Sequence, residues 1–320
     1  MYYAILWSYA AYRRLQHCKL LRRAESPRRS AATILILFWM LRLGLTSAWA
    51  QQTNLPNKPD SLHFAIIGDS GTGGREQLEI ARQLVAYRKV FPFDLVLMLG
   101  DNIYGGETPG DYQKKFEHPY KPLLDAGVKF YATLGNHDDP NQRFYKLFSM
   151  NGLRYYTFRP KDGVRFFALD SNYMDQKQLD WFDKEAGASG SEWKICFFHH
   201  PLYSSGERHG SNMELRKALE PLFVKHGINV VLAGHEHLYE RLKPQQGIYY
   251  FTSGGSAKLR RGDIGNTDLT EKGFDQDYHF MLVEIYGDQF HFQTISRAGK
   301  TVDSGMIART VRKTVTAAAQ

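Results

Sequence analysis

Five short segments carry side chains that can bind metal ions: Gly68-Asp69, Gly100-Asp101, Gly135-Asn136-His137, His199-His200-Pro201 and Gly234-His235-Glu236-His237. Any one alone is a weak signal, because Gly-Asp ends many loops; five in series, each after an apolar run, are strong. Together they offer two carboxylates, an amide oxygen and three imidazoles if one of His199 and His200 takes part. That is more than a single tetrahedral ion takes up. Two neighbouring ions sharing a carboxylate account for the set. Such a pair, about 3.5–4 Å apart, can clamp both the attacking and the leaving oxygen of an in-line displacement. The expected nucleophile is then a metal-bound hydroxide, so Ser70 and Ser204 need no covalent role.

The elements that must position these groups are legible. Leu62–Ile67, Asp94–Leu99 and Val128–Leu134 read as buried strands that end at the first three segments. Apolar residues at Leu78, Ala81, Leu84, Val85 and Val90 predict a helix over 75–89, and a second helix follows near 111–125. Further strands are expected at 164–169, 193–198, 228–233, 248–252, 279–285 and 289–295, with helices near 175–186 and 213–226. Strands alternating with helices imply a largely parallel inner sheet, whereas the last strands follow one another directly and should pair antiparallel. Ligands gather where the carboxyl ends of parallel strands meet, which brings the five segments to one place.

Composition bounds the rest. The chain has 320 residues, 43% hydrophobic, enough for a sizeable core. Its net charge of +8 suggests a nucleic-acid partner until it is located: residues 1–50 hold eight Lys/Arg against one acid, Glu25, leaving 33 basic and 32 acidic residues in the body. A basic region, the apolar run 31–41 and Ala48-Trp49-Ala50 are the marks of an export signal. The expected organisation is a signal peptide over 1–50 (cleaved after Ala50 or kept as an anchor), a linker over 51–60, one α/β domain over 61–310 and a frayed tail over 311–320. The protein is then secreted or periplasmic, with a membrane involved only if the leader is retained. The basic leader is explained by targeting, and nothing in the body calls for nucleic acid. Cys18 and Cys196 cannot pair once the leader is gone.

The run Gly68-Asp-Ser-Gly71, Gly100-Asp-Asn-Ile-Tyr104, Gly135-Asn-His-Asp138, His199 and Gly234-His-Glu-His237 resembles the metallophosphoesterases of the calcineurin-like superfamily, and among them the purple acid phosphatases of the small, tartrate-resistant type. Most members of that superfamily carry Asp-x-His in the first block; here Gly71 stands where the histidine would be, and Tyr104 matches the purple phosphatase tyrosine. The resemblance implies an α/β/β/α sandwich of two mixed sheets flanked by helices. It implies a binuclear centre of Fe(III) and a divalent ion (iron, zinc or manganese). One ion would take Asp69, Tyr104 and His237, the other Asn136, His199 and His235, with Asp101 bridging. The family's His-x-Pro spacing favours His199 over His200. It also implies that His137 stands near the leaving group and His209 faces substrate, with Asp138 either orienting His137 or capping the next turn. The implied activity is an acid phosphatase, a phosphoric monoester hydrolase. A phosphodiesterase on the same centre is the first alternative, and a secreted metal- or phosphate-binding protein without turnover the second.

Overall fold

A computed structural model describes residues 52–309. The leader read over 1–50 and the tail over 311–320 lie outside the described residues. The strands are β1 Leu62–Ile67, β2 Leu95–Met98, β3 Lys129–Ala132, β4 Tyr156–Lys161, β5 Val164–Ala168, β6 Trp193–Phe198, β7 Val230–Ala233, β8 Tyr239–Leu242, β9 Tyr249–Ser253, β10 Thr270–Phe274, β11 His279–Tyr286, β12 Gln289–Ser296 and β13 Thr301–Ala308. The helices are α1 Arg75–Arg88, α2 Pro109–Tyr112, α3 His118–Asp125, α4 Gln176–Gly187 and α5 Met213–His226, with a π-helical turn, Gln113–Glu117, joining α2 to α3.

Among the described residues the strands form two mixed sheets, ordered β13-β12-β11-β1-β2-β3 and β10-β8-β9-β7-β6-β5-β4. Within them β1, β2 and β3 are parallel, as are β5, β6, β7 and β9, while β11, β12 and β13 pair antiparallel. The two mixed sheets that the resemblance implies are thus present, and the parallel strands read from periodicity are divided between them. Phe64 of β1 meets Phe166 of β5 edge-on at 5.3 Å, and Phe251 meets Phe292 at 5.0 Å. The central strands are apolar on both faces because both faces are covered. Along β5 and β6, Phe166, Ile195 and Phe197 enter the core between the sheets, whereas Phe167, Cys196 and Phe198 turn outward under α4 and α5.

Helix α1 forms as expected but is rotated from the face first read. It buries Gln77, Ile80, Ala81, Leu84 and Tyr87, and leaves Leu78 exposed. Counting Gln77 as polar hid the true stripe: it is buried because its amide donates to Lys115 O and accepts from Gly73 N. Strands β4, β8, β10 and β13, short or at the sheet edges, are not among the expected strands. Residues 53–58, read as part of a linker, lie along β11 and β12. Asn54 N donates to Gln293 at 2.9 Å, and Asn57 N and Lys58 N both donate to the buried Glu284 at 2.6 Å.

Candidate metal centre

The strand ends deliver the five segments to one edge of the sandwich. Asp69 follows β1, Asp101 follows β2, Asn136 follows β3, His199 follows β6, and His235 and His237 follow β7. Three of these residues stand in left-handed backbone conformations that side chains other than glycine rarely adopt: Asp69 (φ 54°), Asp101 (φ 51°) and His235 (φ 68°). Each is fixed there by its neighbours: Asp69 N donates to Gly100 O at 3.1 Å, and His235 N donates to Asp69 Oδ2 at 2.9 Å. Glycine is required where two segments touch. A Cβ on Gly135 would overlap the Asp101 carboxylate, and one on Gly71 would overlap the carbonyl of Asn102. Close docking of Gly71 on the 101–104 loop, with Tyr104 N donating to Gly71 O at 2.9 Å, brings Tyr104 inward.

Two groups of donors result. In the first, the Tyr104 hydroxyl lies 3.2 Å from Asp69 Oδ1 and 3.4 Å from His237 Nε2, and His237 Nε2 lies 3.3 Å from the same Asp69 oxygen. Three donors with mutual spacings near 3.3 Å are what bonds of about 2.0–2.2 Å to a common ion produce. In the second, His199 Nδ1 faces Leu99 O at 2.9 Å; since a carbonyl only accepts, that nitrogen carries the proton and Nε2 presents a lone pair. Facing the lone pair are Asn136 Oδ1 at 3.0 Å, Asp101 Oδ1 at 3.5 Å and His235 Nδ1 at 3.1 Å. An imidazole lone pair turned toward two oxygens has no proton to share with them, and a cation removes the conflict. The residues therefore fit metal ions. Ligand-capable atoms of Asp69, Asp101 and His199 also fall within 4.8 Å of one another, which places Asp101 between the two groups.

The electrostatics agree. Burial and the neighbouring Asp101 push the Asp69 carboxyl well above the usual range, and burial with Asp69 and Asp101 pushes the Tyr104 phenol up. Burial pushes the His199 imidazole well below its ordinary value, His235 down to about 2 and His237 down to about 4. Neutral imidazoles are ready ligands, and a cation among the carboxylates reverses the pressure that keeps them protonated.

His200 sits at the edge of the second group, its Nδ1 engaged with the Ser171 hydroxyl at 2.9 Å. His137 is exposed and its ring lies 5.0 Å from that of Tyr104; the His209 ring lies 4.2 Å from that of His235. Asp138 does not orient His137. Its carboxylate accepts from Gly135 N at 2.8 Å, Asn102 N at 3.1 Å and Ile103 N at 3.0 Å, so it ties the Asp101 loop to the Asn136 loop. Two supports went unread in the sequence. Lys115, on the π-helical turn, donates to Tyr104 O at 2.7 Å and Gly106 O at 3.0 Å, holding the tyrosine loop. Glu236, wholly buried, accepts from His209 N at 3.0 Å and Gly210 N at 2.6 Å. Glu236 lay within a recognised motif, but its alternation with two histidines marked it as a spacer. A cavity of about 530 Å³ near Lys194, His226 and Arg309 contains none of these residues.

A two-sheet sandwich with carboxylate, phenol and imidazole donors meeting at the strand ends defines a metal-dependent hydrolase architecture. Residues 62–239 match the calcineurin-like phosphoesterase family, and the chain belongs to it. Its relatives include purple acid phosphatase 17 of Arabidopsis thaliana, 24% identical over 84% of this chain and 95% of that protein. They also include tartrate-resistant acid phosphatase type 5 of Mus musculus, 26% identical over 68% of this chain and 79% of that protein. Among solved structures, GAP50, described as the anchor in the inner membrane complex of Plasmodium, shares the fold with a TM-score of 0.66 at 18% identity, over 79% of this chain and 90% of that one. Fold and chemistry separate in this architecture, so the function of this chain rests on its site.

Proposed function

We propose that the protein is an acid phosphatase of the purple type, hydrolysing phosphate monoesters at a binuclear centre of Fe(III) and a divalent ion. The observation that carries this reading is the pair of donor groups joined by Asp101: an oxygen-rich triangle of Asp69, Tyr104 and His237 beside Asn136, His199 and His235. The first group would hold the trivalent ion, because a phenolate and a carboxylate are hard anionic donors; the second would hold the divalent one. The ions supply Lewis acidity toward the phosphoryl oxygens and make water acidic enough to attack phosphorus.

The protein's own groups do the remaining work. Leu99 O fixes the His199 tautomer. The His137 backbone N–H donates to Asp101 Oδ1 at 3.0 Å, which seats its exposed imidazole at the mouth, where it donates a proton to the departing oxygen. His209, held by the Glu236 carboxylate through its backbone, faces the phosphoryl oxygens from the other side and stabilises their developing charge. The names of the two relatives above support the monoester reading over the diester one.

Metal analysis of the purified protein, a visible spectrum and hydrolysis of p-nitrophenyl phosphate at acid pH test it together. The expected result is one iron and one further metal per chain, a broad phenolate-to-iron band that disappears in Tyr104→Phe, and turnover faster on the monoester than on bis(p-nitrophenyl) phosphate. Two metals without such a band would remove the purple type and leave a phosphoesterase of another branch. Preference for the diester would make it a phosphodiesterase.

A further inference from the structure

After β9 the chain runs over residues 254–269 and passes along the rim of the centre, where it presents positive charge in a body that is close to neutral. The Lys258 ammonium lies 4.5 Å above the Tyr104 ring, and among the described residues it has neither an ion pair nor a hydrogen bond. The same ring lies 5.0 Å from that of His137, so Lys258 and the proposed acid share one neighbour. Two residues on, Arg260 N donates to His237 O at 3.0 Å, which anchors this stretch to the ligand loop. The Arg260 guanidinium is 3.8 Å from Glu236 Oε2, beyond hydrogen-bond reach, and Glu236 directs its other oxygen at His209 N and Gly210 N. Arg208 lies exposed beside His209.

The rim stretch is braced. Glu207 N donates to Asp263 O at 2.7 Å and Gly265 N to Ser205 O at 2.7 Å, and Gly206 pairs with Ile264, so the His209 loop and the Lys258–Arg260 loop form one wall. The Asp263 and Ile264 amides are in turn received by the Asp275 carboxylate. A substrate with one phosphoryl group and a neutral remainder gives an unpaired lysine on this wall nothing to bind.

We propose that Lys258 and Arg260 form a second anion subsite, which directs the enzyme toward phosphate esters carrying a further phosphate group near the scissile one. This rests on the centre binding phosphoryl groups as proposed above. Lys258 supplies the open charge, over an aromatic face that leaves its N–H donors free; Arg260, 30% exposed and with its Nη1 turned toward Glu236, adds a second positive charge beside it.

The test is binding of non-hydrolysable probes to the metal-loaded full chain by calorimetry: ethane-1,2- and propane-1,3-bisphosphonate against propylphosphonate. The wild type is expected to bind one of the bisphosphonates about tenfold or more tightly than the monophosphonate, as one charge-assisted contact implies. In Lys258→Gln and in Arg260→Gln that preference should shrink several-fold, with a smaller change in propylphosphonate affinity. An unchanged preference in both variants, or none in the wild type, overturns the subsite. A shifted visible band in Lys258→Gln with the preference intact also overturns it, and makes Lys258 a partner of the tyrosine ring alone. Absence of hydrolysis on p-nitrophenyl phosphate, with the preference and its loss both observed, would instead strike the proposed function and leave the subsite standing.

Discussion

Asp69, Tyr104 and His237 bring together two groups that become anions on metal binding, whereas Asn136, His199 and His235 bring none. Each group has one fully enclosed member, Asp69 in the first and His199 in the second, and the exposed ligand, Asn136, belongs to the second. A cation in the first group is met by charge that burial has made costly to leave uncompensated. A cation in the second is met by neutral dipoles and reached from solvent. On the proposed reading, two adjacent sites would suit ions of different charge, and Asp101, touching both groups, would couple them.

The comparison is broken most severely at Asp101. Asp101→Ala is expected to lose both metals and to lower kcat/KM by several kcal/mol of transition-state stabilisation, roughly a thousandfold or more. Metal analysis showing full occupancy in this variant would end the shared-ligand reading. The two groups are separated by a pair of single changes. Tyr104→Phe should abolish the visible band, while Asn136→Ala should keep the band and lose the divalent ion on dialysis against a chelator. Gly71→Ala should resemble Tyr104→Phe, because the new methyl group collides with the Asn102 carbonyl and displaces the loop that carries the tyrosine. Next in size is His137→Gln. Proton donation is worth about 10²–10⁴-fold, so an alkyl phosphate should suffer a loss on that order and p-nitrophenyl phosphate, whose leaving group needs little help, much less. Equal losses on both substrates would remove His137 as the acid. The smallest effect is expected at Asp138→Asn, which loosens the tie between the two ligand loops. Metal retention should weaken about 10–100-fold, with turnover per bound metal preserved.

Much of the centre was legible because Asp69, Asp101, Asn136 and His235 each follow an apolar strand and a glycine, and His199 directly follows an apolar strand. That pattern survives in one dimension: a buried strand must be apolar, and a chain turning sharply beside another segment must be small. The supports were less legible. Asp138 reads from sequence as either a partner of His137 or a cap of the next turn, since nothing local distinguishes these from a carboxylate that receives amides 35 and 36 residues away. Lys115 and Glu236 were missed for the same reason, and Lys258 reads as an ordinary surface lysine until Tyr104 is beneath it. On α1, apolar spacing alone chose a face one position off, because the buried polar Gln77 is satisfied only by contacts outside the helix.

The sequence by itself determined the strand ends, the donors that follow them and, through Gly71 and Tyr104 together, the branch of phosphoesterase this chain resembles. Tertiary structure alone decided which of the parallel strands fall in which sheet, the distant partners of Asp138, Lys115 and Glu236, and the meeting of the 204–210 and 258–265 loops in one wall. Periodicity and turn chemistry are written residue by residue. The distance between side chains some thirty to two hundred positions apart depends instead on how whole sheets stack, and burial fixes that only once the chain has closed on itself.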